Sequence, residues 1–207
     1  KLRLNDTIGK YIPDIDDEQA KRVTIYQLLT HTSGYAPDFD LKEKWTGREG
    51  MLAALKKEKL RNPPGTRFVY SDIVFEVLGE IVVRLSPLDW PKERGLDAFG
   101  VVNIFSVSGM DDTSFRFNEN RPESQTGVSM TPENPAIVAR IAPTENIRGQ
   151  NSYLGSKFEG DEKDGDRMLR GQVHDQTAFR MGGVAGHAGL FSTADAAREH
   201  APFQRSG

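Results

Sequence analysis

Pro64-Gly65-Thr66-Arg67-Phe68-Val69-Tyr70-Ser71-Asp72 runs directly into Ile73-Val74-Phe75-Glu76-Val77-Leu78-Gly79-Glu80-Ile81-Val82-Val83-Arg84-Leu85, and this stretch decides the fold. Pro64-Gly65 marks a turn, and a short extended segment follows it. From Ser71 onward the apolar residues Ile73, Val74, Val77, Leu78, Ile81, Val82 and Leu85 recur at helical spacing. Phe75 widens that apolar face, so the helix is expected to be buried over much of its surface. Ser86-Pro87 closes it, because the residue before a proline is pushed out of helical conformation. Glu76, Glu80 and Arg84 interrupt the run, which rules it out as a membrane span.

Working outward, Val23-Thr24-Ile25-Tyr26-Gln27-Leu28-Leu29 opens a second helix. Thr24 can cap it, Gln27 three residues on completes a capping box, and Val23 can staple to Leu28. His31-Thr32-Ser33-Gly34 supplies the stop. Residues 51–60 form a further helical stretch, ended by Asn62-Pro63-Pro64-Gly65. Residues 5–17 are expected to be irregular surface structure, and residues 101–105 a short helical or strand-like run. Residues 118–133 are polar and turn-rich. The Gly, Asp, Glu and Lys content of residues 149–171 reads as a long exposed loop. Ala185-Gly186-His187-Ala188-Gly189 is a small-residue segment leading into Leu190-Phe191, after which Ser192-Thr193-Ala194-Asp195 signals a helix start. The pattern is mostly helix and loop, with few strands.

With 207 residues, the chain is long enough for one large domain or two small ones. Its net charge of −3, with Lys and Arg spread along it, offers no phosphate-tracking face, so nucleic acid is not expected as a partner. The absence of cysteine removes thiol nucleophiles, disulfides and Cys-based zinc sites together. There is no Gly-x-Ser-x-Gly elbow, no Walker loop and no dinucleotide fingerprint. His174, His187 and His200 do not stand four apart around a glutamate, so there is no zincin motif, and no metal or cofactor is expected.

Tyr70 is the residue whose setting suggests chemistry. The turn at Pro64-Gly65 delivers it to a helix N-terminus, with Ser71 as a plausible cap and Asp72 in the first turn. The positive end of a helix and a nearby cation each favour a phenolate, which is how a tyrosine here could serve as a general base. A tyrosine beside a helix can equally be an interfacial aromatic, and the local residues leave both readings open.

Four motifs appear in order: Leu28-Leu29-Thr30-His31-Thr32-Ser33-Gly34; Pro64-Gly65-Thr66-x-Phe68-x-Tyr70-Ser71-Asp72; Leu78-Gly79-Glu80-Ile81-Val82; and Gly109-Met110-Asp111-Asp112-Thr113-x-Phe115. Together they resemble the β-lactamase-related serine hydrolases, which include class C β-lactamases, D-alanyl-D-alanine carboxypeptidases and family VIII esterases. Ile141-Ala142-x-Thr144-Glu145, Leu169-Arg170-Gly171-x-Val173-His174-Asp175 and Gly182-Gly183-Val184-Ala185-Gly186-His187-Ala188-Gly189-Leu190-Phe191-Ser192 are similar to a low-molecular-mass penicillin-binding carboxypeptidase branch. The resemblance implies an α+β fold of the β-lactamase/transpeptidase type: an antiparallel sheet flanked by helices plus a helical part. This chain would supply mainly the helical part and little of the sheet.

It also implies acylation of a Ser-x-x-Lys serine, a tyrosine that manages the proton, and a backbone oxyanion hole. By position, Tyr70 would be the general base, and Asp72 stands where the family usually carries asparagine. Ser71, His187, Gly189, Glu145 and His174 are candidate pocket or substrate-binding residues. For His187 the expectation is a place on the pocket rim, with a purely structural role as the alternative. His174-Asp175 is either a catalytic pair or a turn-stabilising contact, and Glu145 either a pocket group or an exposed carboxylate. No cofactor is implied. The partners expected are a small molecule or a peptidoglycan peptide, and the compartment periplasmic or extracytoplasmic.

The chain contains no Ser-x-x-Lys. Thr7-Ile8-Gly9-Lys10 has similar spacing but falls in the segment that follows the nucleophile helix in the family. Residues 1–207 therefore read as a partial domain whose nucleophile motif would precede Lys1 and whose third motif is also missing. The leading function is a D,D-carboxypeptidase-like hydrolase, with β-lactam or ester hydrolysis as near alternatives and an inactive cell-wall peptide-binding module as a rival of another class. Incubated alone with a fluorescent penicillin and run under denaturing conditions, the chain should carry no covalent label. A stoichiometric band mapped to one of its serines would contradict this reading.

Overall fold

A computed structural model describes residues 1–86, 95–110, 113–115, 141–146, 168–169 and 171–194. They fall into two compact units. One comprises residues 1–86 with Ala185–His187, and the other lies between residue 95 and Val184 and beyond His187.

The first unit opens with α1 (Ile8–Tyr11), α2 (Glu18–Lys21) and α3 (Ile25–Leu29). A bridge between Thr7 and Thr24 lays the start of α1 beside the start of α3, with Ile8 N donating to Val23 O at 2.8 Å and Ile25 N to Asp6 O at 3.0 Å. The Asp6 carboxylate accepts from the Tyr11 hydroxyl and the Lys10 ammonium, and these, in that order, hold its carboxyl down at about 2. Asp17 caps α2 by accepting from Gln19 N and Ala20 N at 2.8 and 3.2 Å. The capping box of α3 is present in full: Gln27 N donates to Thr24 Oγ1 at 3.2 Å, and Thr24 N to Gln27 Oε1 at 3.0 Å.

Residues 5–17 correct the expectation of irregular surface. Ile8, Ile12 and Ile15 are at most 2% exposed. Pro13 stops α1 after one turn, which hid the element in the sequence, but the isoleucines keep the four- and three-residue spacing that turns them inward.

The fourth helix, α4 (Gly47–Lys57), is offset from the expected 51–60. Only its buried pair, Met51 and Leu55, carried the periodic signal, while its first turn is charged. α5 (Asp72–Leu85) forms where expected. Ile73, Val74, Val77 and Ile81 are fully buried on it, each worth roughly 1.5–3 kcal/mol of transfer free energy. Glu80, also inside, is paired: Arg48 Nε and Nη2 reach its two oxygens at 2.7 Å, and Arg84 Nε reaches Oε1 at 2.6 Å. Arg84 Nη1 also donates to Tyr11 O at 3.1 Å, tying the end of α1 to α5. Ser71 takes the N-cap position, but its hydroxyl does not cap the helix.

Gly34 ends the His31-Thr32-Ser33-Gly34 motif for a steric reason. Its φ is +91°, and a Cβ there would stand 2.1 Å from Asn62 O. Arg61 N donates back to Gly34 O at 2.7 Å, docking the motif on the loop that leads to Tyr70.

In the second unit α6 (Gly95–Gly100) continues into a π-helical turn at Val101–Phe105 and a 3₁₀ turn at Ser106–Ser108, so residues 101–105 are helical rather than strand-like. Two short antiparallel ladders follow. β1 (Ser114–Phe115) pairs with β4 (Leu190–Phe191), with Ser114 opposite Phe191. β2 (Glu145–Asn146) pairs with β3 (Met168–Leu169), with Glu145 opposite Leu169. Met168 and Leu169 thus leave the loop expected over 149–171; the remainder of that loop up to Arg170, and residues 118–133, lie outside the described residues. α7 (Gln176–Arg180) is capped by Asp175, which accepts from Ala178 N at 2.7 Å. Among the described residues no helix is long and apolar enough to cross a membrane.

Tyr35 is fully buried in the first unit, and its hydroxyl has no hydrogen-bond partner among the described residues. Burial pushes that phenol far above its ordinary pKa. A buried unsatisfied polar group costs about 1–3 kcal/mol. Tyr35→Phe should therefore raise the melting temperature, by an amount equivalent to about 1 kcal/mol. A lowered one would show that a buried water or another group satisfies the hydroxyl.

Candidate active site

The tyrosine singled out in the sequence is held by backbone hydrogen bonds between two segments. Val69 N donates to His31 O at 2.9 Å, Ser71 N to His31 Nδ1 at 3.2 Å, and Asp72 N to Pro37 O at 2.7 Å. The Ser71 hydroxyl donates to Ala36 O at 2.6 Å. Extended backbone sends successive side chains to opposite faces, and Ser71 is extended, with φ −145° and ψ 127°. Ser71 accordingly points inward, 1% exposed, while Tyr70 and Phe68 stand outward at 66% and 65%. Ser71, a candidate pocket residue, is thus buried with its hydroxyl turned to the Ala36 carbonyl. Asp72 is the first residue of α5, where a carboxylate meets the positive end of the helix.

His187 is read from the sequence as either a pocket-rim residue or a purely structural one. Its side chain is 5% exposed, and Nδ1 lies 3.5 Å from Oε1 of Glu76, itself closed off from solvent. The segment Ala185–His187 lies directly on α5, because Gly186 has no side chain. A Cβ at Gly186 would fall 1.9 Å from Phe75 O. The bulk of an alanine there cannot be absorbed by a flexible side chain, since the clash is with backbone. Glu76 was missed as a partner for His187 because more than a hundred residues separate the two.

In the second unit a pocket of about 750 Å³ is lined by residues that include Thr144, Val173, His174, Gly189, Phe191 and Ser192. His174 and Gly189 both line this cavity. His174 is exposed beside Asp175, whose carboxylate caps α7 by accepting from Ala178 N. The side chain of Glu145 lies outside the described residues, although its backbone is placed in β2.

A family model described as Beta-lactamase matches residues 1–199, and the chain belongs to that family of serine hydrolases. Among curated relatives, a protein of Salmonella agona (strain SL483) named "Putative D-alanyl-D-alanine carboxypeptidase" is 27% identical over 214 residues, which cover 93% of this chain and 42% of the relative. The chain thus spans less than half the length of that relative. Two solved structures share the fold. The octameric penicillin-binding protein homologue from Pyrococcus abyssi matches with a TM-score of 0.55 and 18% identity, over 96% of this chain and 38% of that one. A β-lactamase/D-alanine carboxypeptidase from Pseudomonas syringae matches with a TM-score of 0.54 and 16% identity, over 96% and 42%. The fold is accordingly the β-lactamase/transpeptidase-like α+β fold, represented here mostly by helices with small antiparallel ladders.

Gly186→Ala should lower unfolding stability by about 3 kcal/mol, the upper end of ordinary overpacking costs, as measured by urea titration. An unchanged midpoint would mean that Ala185–His187 does not lie against α5.

Proposed function

We propose that these residues are part of the catalytic domain of a serine hydrolase that works through an acyl-enzyme on D-alanyl peptides. The carrying observation is Tyr70, presented outward from a hydrogen-bonded segment at the N-terminus of a buried helix. The D-alanyl-D-alanine carboxypeptidase name of the relatives supports the substrate class. The nucleophile would be the serine of a Ser-x-x-Lys motif lying outside these 207 residues.

In this reading the serine Oγ attacks the carbonyl carbon of the penultimate D-alanine as its proton passes to the Tyr70 side-chain oxygen. The tetrahedral intermediate then collapses, the C–N bond breaks, and Tyr70 returns the proton to the departing D-alanine amine. A water molecule hydrolyses the ester, again with Tyr70 handling its proton. Asp72, one residue into α5, would help orient the substrate or the lysine. Glu145, His174 and Gly189 are kept as candidate substrate-binding residues. Such a substrate would fit a periplasmic or other extracytoplasmic location.

The test is the full-length protein with a Lys-D-Ala-D-Ala peptide, following D-alanine release. Tyr70→Phe should lower kcat/KM by about 10²–10⁴-fold, the range of a general acid–base group, without lowering the melting temperature. Full activity in a folded Tyr70→Phe protein would remove the assignment. Turnover of a β-lactam or an ester with none of the peptide would reassign the substrate while keeping the site.

A further inference from the structure

His31 belongs to a motif that the reading of the site leaves without a role, and three independent features converge on it. It is the one non-glycine residue of positive φ among the described residues, at +53°. Left-handed backbone is uncommon outside glycine, with His, Asn and Asp the side chains that enter it most readily. In this conformation one residue supplies two acceptors to the segment opposite. Its carbonyl oxygen takes the N–H of Val69, and its ring Nδ1 takes the N–H of Ser71. These are the residues immediately before and after Tyr70. Its imidazole also faces the Tyr70 ring, with centroids 4.6 Å apart and planes 32° from parallel. The rings of Phe75 and Phe68, at 5.3 and 5.8 Å, hold the imidazole from other directions.

We infer that His31 is the positioning residue for Tyr70: it grips the backbone on both sides of the tyrosine and stacks against its ring. The inference rests on Tyr70 being the proton-handling group. A tyrosine two-thirds exposed would otherwise exchange among side-chain rotamers. A phenol acting as general base must instead stay within hydrogen-bond reach of the nucleophile, and a misplacement of about 1 Å can cost roughly 10²-fold in rate. To accept from Ser71 N, Nδ1 must carry no proton, so the imidazole keeps its hydrogen on Nε2.

Two measurements test this, and one does not depend on activity. In protein labelled with ¹⁵N, the Ser71 amide should show a scalar coupling through its hydrogen bond to His31 Nδ1. Its absence in folded protein would overturn the inference. In the full-length enzyme, His31→Gly relaxes the left-handed backbone while deleting the ring and the Nδ1 acceptor. It should lower kcat for D-alanine release from the Lys-D-Ala-D-Ala peptide by about 10²-fold, with KM within a few-fold and the melting temperature retained. His31→Asn, whose amide oxygen can take the place of Nδ1 and which tolerates positive φ, should recover kcat to within about tenfold of the original. A His31→Gly enzyme with unchanged kcat, alongside a Tyr70→Phe enzyme with lowered kcat, would refute the positioning role. Should Tyr70→Phe itself keep full activity, the functional reading falls, and the coupling still decides whether His31 holds Tyr70.

Discussion

A carboxylate shut inside a protein has to be matched, and Glu80 in the middle of α5 is matched from two sides. Removing a carboxylate from water costs several kcal/mol. Three charge-assisted hydrogen bonds from Arg48 and Arg84 offset that cost. The two arginines bring constraints of their own, since Arg48 belongs to the first turn of α4 and Arg84 also reaches the carbonyl at the end of α1. One buried charge thus holds three helices of the first unit in register, where apolar burial alone would permit sliding. The position of the α5 N-terminus, and so of Tyr70, follows from that register.

What could be read from the sequence was what depends on neighbours in the chain. The capping box at Thr24 and Gln27 involves residues three apart, and α5 announces itself over four turns by its own periodicity. The failures have the opposite character. Ile8, Ile12 and Ile15 looked like isolated apolar residues in a polar stretch, because Pro13 cut the helix before a pattern could build. Ser71 looked like a cap because serine favours that position, but its hydroxyl is turned to donate to a carbonyl 35 residues away and no cap hydrogen bond forms.

The candidate site divides along the same line. Tyr70 could be noticed from its place before a helix, yet only resemblance to a family favoured chemistry over packing. His31 was visible as a motif letter without a purpose, since its purpose is a contact with Ser71, 40 positions later. Nothing near His187 in the chain reports its approach to Glu76. Glycine, by contrast, gave signals whose meaning appeared only in three dimensions: Gly34 and Gly186 each mark a spot where another backbone carbonyl comes too close for any side chain.

The lodging of Ala185–His187 on α5 also bears on how the chain is made. The first 86 residues leave the ribosome well before residue 185, and at synthesis rates of about 5–20 residues per second the interval is on the order of 5–20 s. For that time the face of α5 around Phe75 and Gly79, with the Glu76 carboxylate beside it, waits without its cover. Closing so long a loop costs only a little more entropy than closing a short one, so the delay is a matter of timing rather than of stability.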